Sequence, residues 1–373
     1  MVAVFIFSGC RDPFEPEVTD QDISLLVVEG FLETGGEISE IILSRTSPIR
    51  SDFGFQPESG ANVLLRSENG EEWAFQESEV GVYTYEGVFD EGLDYYLSIN
   101  LRDGQQYISD PIVPVISPEI EELGFLRDNE GVEIFISTKG NEKAQYFLWD
   151  YEEDWIFRPG VRTQFIFNPF TKNVDFRQPD QKIDLCWKSN HVSKIILQNA
   201  SRFQDNTILQ RELVRILPRS EKLMQRYSIK VRQRAVSQET YDFWEILRKN
   251  SDDIGGIFSP LPSLIRGNIN PVSEAGNPAI GMVSMGKSAS KRIYINTQDV
   301  APWPSFIEDY EFCRLDQDTV LVDDYEREFS SGTRLPIIPV IVVTTTIGFR
   351  AASRNCADCT LRGTNIKPDF WED

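Results

Sequence analysis

The sequence predicts a mainly β protein: two tandem β-sandwiches, the second carrying a large insertion with one clear helix. Three observations carry that prediction. Short apolar–polar alternations recur along most of the chain, the period-two signature of half-buried strands. Asn69-Gly70 and Asp103-Gly104 stand between such runs as tight hairpin turns. Only one stretch, beginning at Ser237, has clear helical spacing. With 373 residues, 40% hydrophobic and 26% charged, the chain is long enough for two or three domains and too apolar for disorder.

Residues 1–10 read as a lipoprotein signal. Met1 to Gly9 is nearly all apolar, and Phe7-Ser8-Gly9 places small residues directly before Cys10, the expected lipidated residue. The run is short and has no preceding Lys or Arg; a start codon further upstream would account for both. No other run reaches the ~18–20 apolar residues that span a bilayer, so the expected attachment to the outer membrane is a lipid anchor. Residues 11–22 form a tether in which Pro13 and Pro16 prevent helix and Asp12, Glu15 and Glu17 supply negative charge. An acidic stretch just after the lipidated Cys resembles the signal that sends Bacteroidota lipoproteins to the cell surface.

Residues 23–115 are expected to form the first sandwich. Ile23 to Leu32, Ile38 to Arg45, Ala61 to Arg66, Glu71 to Gln76, Gly81 to Glu86, Leu93 to Leu101 and Gln105 to Ser109 supply seven short strands. Gly60-Ala61-Asn62-Val63 followed by Gly81-Val82-Tyr83 resembles the small transthyretin-like, or carboxypeptidase-regulatory, sandwich. Pro111, Pro114 and Pro118 mark a boundary near residue 116.

Residues 116–350 are expected to form the second sandwich. Glu119 to Leu126, Val132 to Thr138 and Gln145 to Tyr151 read as strands A, B and C of a fibronectin-like unit, the third apolar enough to be buried on both faces. Residues of about 158–300 read as the insertion. Within it, Tyr227, Ile229 and Val231 alternate with Arg226, Lys230 and Arg232 as a strand. Ser237 caps a helix whose stripe is Tyr241, Trp244 and Leu247, ending by about Asn250. A Gly/Pro-rich segment runs from Gly255 through Pro260 and Pro262 to Gly267. Ala279 to Met285 and Ser290 to Asn296 then read as strands returning to the second sandwich. Leu335 to Phe349 is a further strand former, and residues 351–373 are a Cys-containing tail.

The order of the lipobox, the first sandwich, the Ser237–Leu247 helix, Pro262 to Asn268, Gly281 and the tail from Cys356-Ala357-Asp358-Cys359 to Pro368-Asp369-Phe370-Trp371 resembles one Bacteroidota surface-lipoprotein family, domain of unknown function 4249. The resemblance spans essentially the whole mature chain. It implies a partner, because members are commonly encoded beside SusC-like TonB-dependent outer-membrane transporters. It supplies no catalytic residues.

Composition excludes several functions. There are 37 Lys+Arg against 59 Asp+Glu, a net charge of −22, which argues against nucleic acid as a partner. A single His, His191, rules out zinc sites needing two imidazoles. No GxSxG elbow accompanies that His for a triad. Asp316-Gln317-Asp318 lacks the Gly and the distal Glu of a calcium loop. No metal, cofactor or catalytic residue is called for, and the chain is read as non-enzymatic.

Beyond Cys10, four cysteines remain. Cys186, Cys313, Cys356 and Cys359 are candidates for two structural disulfides, with three possible connectivities; a Cys₄ zinc site and a redox CxxC are weaker readings. Trp149, Tyr151 and Trp155 are candidates for stacking on glycan rings, against core packing as the plainer account. Arg211, Arg215, Arg219, Lys222, Arg226, Lys230, Arg232 and Arg234 make a basic segment that is a candidate partner surface, against neutralisation by the chain's own acids. The leading expectation is an accessory or cargo-capturing lipoprotein on an outer-membrane β-barrel, with glycan or peptide as cargo. A glycan-binding module comes second and a hydrolase third.

Overall fold

The computed structural model describes residues 24–46, 56–192, 194–252, 267–274 and 276–372. Cys10, the tether and Pro260–Pro262 of the Gly/Pro-rich segment lie outside them. The chain is mainly β, with several sheets and few helices, as the alternation requires.

The first sandwich packs two sheets. One has the strand order Val115–Ile116, Ala279–Lys287, Leu26–Glu33, Gly35–Arg45, Val82–Val88 and Gln76–Glu79. The other runs Ile269–Pro271, Gln106–Ser109, Tyr95–Asn100, Asn62–Ser67 and Glu72–Ala74. The single strand expected over 71–76 is thus divided between the sheets, and Phe75 at the break is buried in the core between them.

One expectation is corrected here. Ala279 to Met285 does not return to the second sandwich. The strand Ala279–Lys287 pairs in parallel with Leu26–Glu33, with Val28 opposite Gly281 and Phe31 opposite Ser284. Alternation alone could not reveal this, because a parallel strand in mid-sheet reads as a nearly continuous apolar run. Gly281 permits the close approach: at φ +153° a Cβ there would lie 1.9 Å from the Val28 carbonyl oxygen. The buried Asn268 side chain secures the same strand, donating from Nδ2 to the Val283 carbonyl (2.7 Å) and accepting from the Val283 N–H (2.9 Å).

The second sandwich has the strand arrangement of a fibronectin-like unit. One sheet holds Ile120–Asp128, Gly131–Lys139 and Thr207–Ile216. The facing sheet runs Cys186–His191, Tyr146–Phe157, Arg226–Val236 and Ala289–Asn296, with Ile196–Asn199 also on Tyr146–Phe157. Val132, Ile134, Phe147, Trp149, Ile229 and Val231 fill the space between. The supposed insertion is therefore not one block, because five sandwich strands lie inside residues 158–300. The departures from the sandwich are the hairpin Phe165–Asn168/Asn173–Phe176 and the excursion from 237 to 287. That excursion opens with the helix Gln238–Asp252, where the Ser237 hydroxyl accepts the Thr240 N–H at 3.1 Å as the expected cap.

Residues 335–349 also sit elsewhere than expected. Arg334–Val342 and Thr345–Ser353 form a separate three-stranded sheet with Thr319–Leu321. Its small core, Val320, Tyr325, Phe329, Phe349 and Ala351, packs against Phe165 of the hairpin. Disulfide Cys186–Cys359 fastens this C-terminal unit to the sandwich strand Cys186–His191, and Cys313–Cys356 ties the segment that enters the unit to the one that leaves it. The two bonds are expected to stabilise the fold by ~2–4 kcal/mol each, chiefly through the unfolded chain.

The parallel pairing is directly testable. Gly281→Val should lower unfolding free energy by roughly 3 kcal/mol or more in urea titrations, because Cβ and the Val28 carbonyl cannot share that space. A loss below ~1 kcal/mol would show that the strand is not held this closely.

Candidate functional site

Period two decides which side chains of the central sheet are available. Along Tyr146–Phe157, residues 147, 149, 151, 153, 155 and 157 face the sandwich core, and Asp150, Glu152 and Asp154 face outward. The glycan-stacking candidates fall on the wrong side. Trp149 is 2% exposed, Tyr151 5% and Trp155 4%. Trp149 donates from Nε1 to Gln233 at 2.9 Å, and Trp155 is flanked by the Lys188 and Lys222 ammonium groups at 5.7 and 5.4 Å. None presents a flat face to solvent, so the core-packing account holds for all three.

The basic segment is corrected as well. Arg211 and Arg215 belong to one sheet of the sandwich, and Arg226, Lys230, Arg232 and Arg234 to the other, so no single stripe forms. Acids of the same protein meet many of the charges. Arg215 bonds Asp128 at 2.7 Å and Glu133 at 2.6 Å. Lys222 bonds the buried Glu153 carboxylate at 2.6 Å, where Tyr227 Oη and Asn190 Nδ2 also donate. Burial, then the Glu153 charge, pushes the Tyr227 hydroxyl well above its usual range and Tyr151 up to about 12. Arg219 and Arg226 lie over the rings of Phe306 and Tyr294. Lys230 stands in register between Glu152 and Arg292, and Arg211 opposite Ile136.

Arg232 and Arg234 lead to the candidate site. Both reach Asp150, at 3.1 and 2.9 Å, and all three line a cleft of about 570 Å³. Its two walls are the outward faces of two sheets, one from each sandwich. The first sandwich contributes Glu29, Phe31, Glu33, Ile38, Glu40 and Ile42. The second contributes the Asp150–Arg232–Arg234 group, Glu152, His191 and apolar side chains including Leu148, Val236 and Trp244. The Arg234 guanidinium crosses to the opposite wall and lies 4.8 Å from the Phe31 ring centroid. Burial pushes the Glu29 carboxyl above the usual carboxylate range and lowers Arg234 despite Asp150.

His191 lies at this cleft, exposed and in register with Glu152. Ser189, two residues before it, donates to Asp154 instead. Asp316 accepts from Arg334. Among the described residues no group of three or more His, Cys, Asp and Glu is placed to hold a metal. The two CxxC cysteines pair with different distant partners, which makes both bonds structural links. The cleft itself was not legible beforehand. Its walls come from strands 26–45, 146–157 and 226–236, and only their packing brings them together.

A model of the family described as Domain of unknown function (DUF4249) matches residues 11–292. The chain belongs to that family. The DUF4249 match takes in nearly all of both sandwiches and the whole cleft. It ends inside Ala289–Asn296, so the tail from Cys356 to Trp371, part of the sequence resemblance, lies beyond it. A two-domain fibronectin type-III segment from chicken tenascin is similar over 56% of this chain and 88% of its own, at 13% identity and a TM-score of 0.15. No curated protein matches.

Two outcomes check these placements. Trp149→Ala should cost ~3–5 kcal/mol of stability in chemical denaturation, as a buried core residue does, where a solvent-facing ring would cost little. At the C-terminal unit, burial raises the Asp358 carboxyl, but hydrogen bonds from Thr360 and Arg354 outweigh it and hold it below the usual range. Its stabilisation is complete above about pH 4 and fades as pH falls from there through the folded value. Asp358→Asn should remove that part of the acid dependence of the unfolding midpoint.

Proposed function

We propose that this DUF4249 protein is a surface lipoprotein held to the outer membrane through Cys10. It acts as a non-enzymatic accessory or cargo-capturing subunit of a SusC-like TonB-dependent transporter or another outer-membrane β-barrel. The observation that carries the capture role is the cleft between the sandwiches. It is open, it is lined by alternating charged and apolar side chains, and its walls belong to separate folding cores. Such a surface selects by complementarity of charge and shape. The two disulfides support an oxidising compartment, which agrees with export. The net charge of −22 favours a partner with a complementary basic surface.

The test is isolation of the affinity-tagged full-length protein from native outer membranes. A large barrel should co-purify in near-stoichiometric amount, and Cys10→Ser should shift the protein to the soluble fraction. A folded protein that extracts alone, or a Cys10→Ser form that stays in the membrane, would overturn the reading.

A further inference from the structure

Asp150 pairs with both cleft arginines, and Glu33 and Glu40 lie within electrostatic reach of Arg234, yet Glu29, Glu33, Glu40, Asp150 and Glu152 outnumber Arg232 and Arg234 and leave the cleft negative. Glu29 and Glu40 form no ion pair among the described residues. They alternate with apolar side chains, Glu29 opposite Ile42 and Phe31 opposite Glu40 in adjacent strands. The result is a chequerboard of carboxylates and hydrocarbon facing the second sandwich.

Glu33 is the decisive member. It lines the cleft but is only 3% exposed. Its Oε2 accepts the Ser288 N–H at 3.1 Å, while its buried Oε1 has no hydrogen-bond partner. A carboxylate offers about four acceptor positions, and leaving one buried oxygen without a donor is costly. Arg234 Nε is a second buried group without a partner, and this one needs an acceptor.

We infer that the cleft binds a peptide through a lysine or arginine side chain. The cationic head serves Glu33, with Glu29 and Glu40 adding charge, and the alkyl stem lies along the apolar squares. A peptide carbonyl supplies the acceptor that Arg234 Nε lacks, which distinguishes a peptide from a simple amine. Arg234 against Phe31 already shows a guanidinium held between an aromatic face and a carboxylate in this cleft. This assignment deepens the capture reading and rests on it.

Isothermal titration of the full-length protein with end-blocked Ala-Lys-Ala, Ala-Arg-Ala and Ala-Glu-Ala tripeptides, and with spermidine, tests it. Saturable one-to-one binding is expected for the lysine and arginine peptides only. Glu33→Gln should weaken it on the order of tenfold or more. Glu29→Gln/Glu40→Gln, which removes no hydrogen bond or ion pair among the described residues, should weaken it several-fold. The assignment is overturned by no saturable binding of the cationic peptides or by equal binding of Ala-Glu-Ala. Binding of spermidine alone, or binding unchanged in the Glu29/Glu40 double variant, also overturns it. The two readings fail separately: a barrel that co-purifies without peptide binding removes the ligand class and keeps the accessory role. Peptide binding without a barrel does the reverse.

Discussion

The parallel pairing of Leu26–Glu33 with Ala279–Lys287 is the constraint on which the rest of this structure depends. It inserts a strand from far along the chain into the middle of the first sheet. From there the chain needs only Ser288 to enter Ala289–Asn296 of the second sandwich. A second short crossing follows Val115–Ile116, which lies against Gly286 and Lys287. Two short crossings thus join the sandwiches at neighbouring points, beside the longer connection that leaves the second sandwich after Val236 and re-enters the first at Ile269. A single tether would allow a hinge; two adjacent crossings fix how the outward faces meet, and so fix the width of the cleft. Glu33 sits at this junction, bonded to the Ser288 N–H.

Much of the architecture was legible because strand periodicity is local. Tyr227, Ile229 and Val231 alternate with basic residues, and they do face the core. Ser237 caps the helix as its hydroxyl chemistry requires. What escaped the sequence was everything decided by long-range pairing. Ala279–Lys287 looks the same whichever sandwich receives it. Leu335–Phe349 looks like a sandwich strand, yet it builds a sheet of its own with Thr319–Leu321. The cysteine count foretold two disulfides but not their partners, because connectivity depends on distances that spacing does not encode.

The candidate site shows the same division. Residue type marked Arg232 and Arg234 as notable, but only the fold reveals that Asp150 claims both. Trp149, Tyr151 and Trp155 drew notice by chemistry, and the pleat turned all of them inward. Glu29, Glu33 and Glu40 were invisible among 59 acids, since nothing local separates a buried carboxylate on a sheet face from a solvated one. Charge pairing across the central sheet also explains how a protein of net charge −22 keeps a basic strand: Asp150, Glu152 and Asp154 lie on the neighbouring strand with matching register.

The late arrival of Ala279–Lys287 has a consequence for biogenesis. As the polypeptide emerges, Leu26–Glu33 pairs at once with Gly35–Arg45 along one edge, but its other edge stays open until some 240 more residues have followed. An unpaired apolar edge is a template for wrong partners, including the same edge on another nascent copy. The fold therefore implies a waiting period in which the oldest part of the molecule must be shielded. A chain halted before residue 279 would be left with that edge uncovered, and so would go to degradation or aggregation rather than survive as a free-standing first domain.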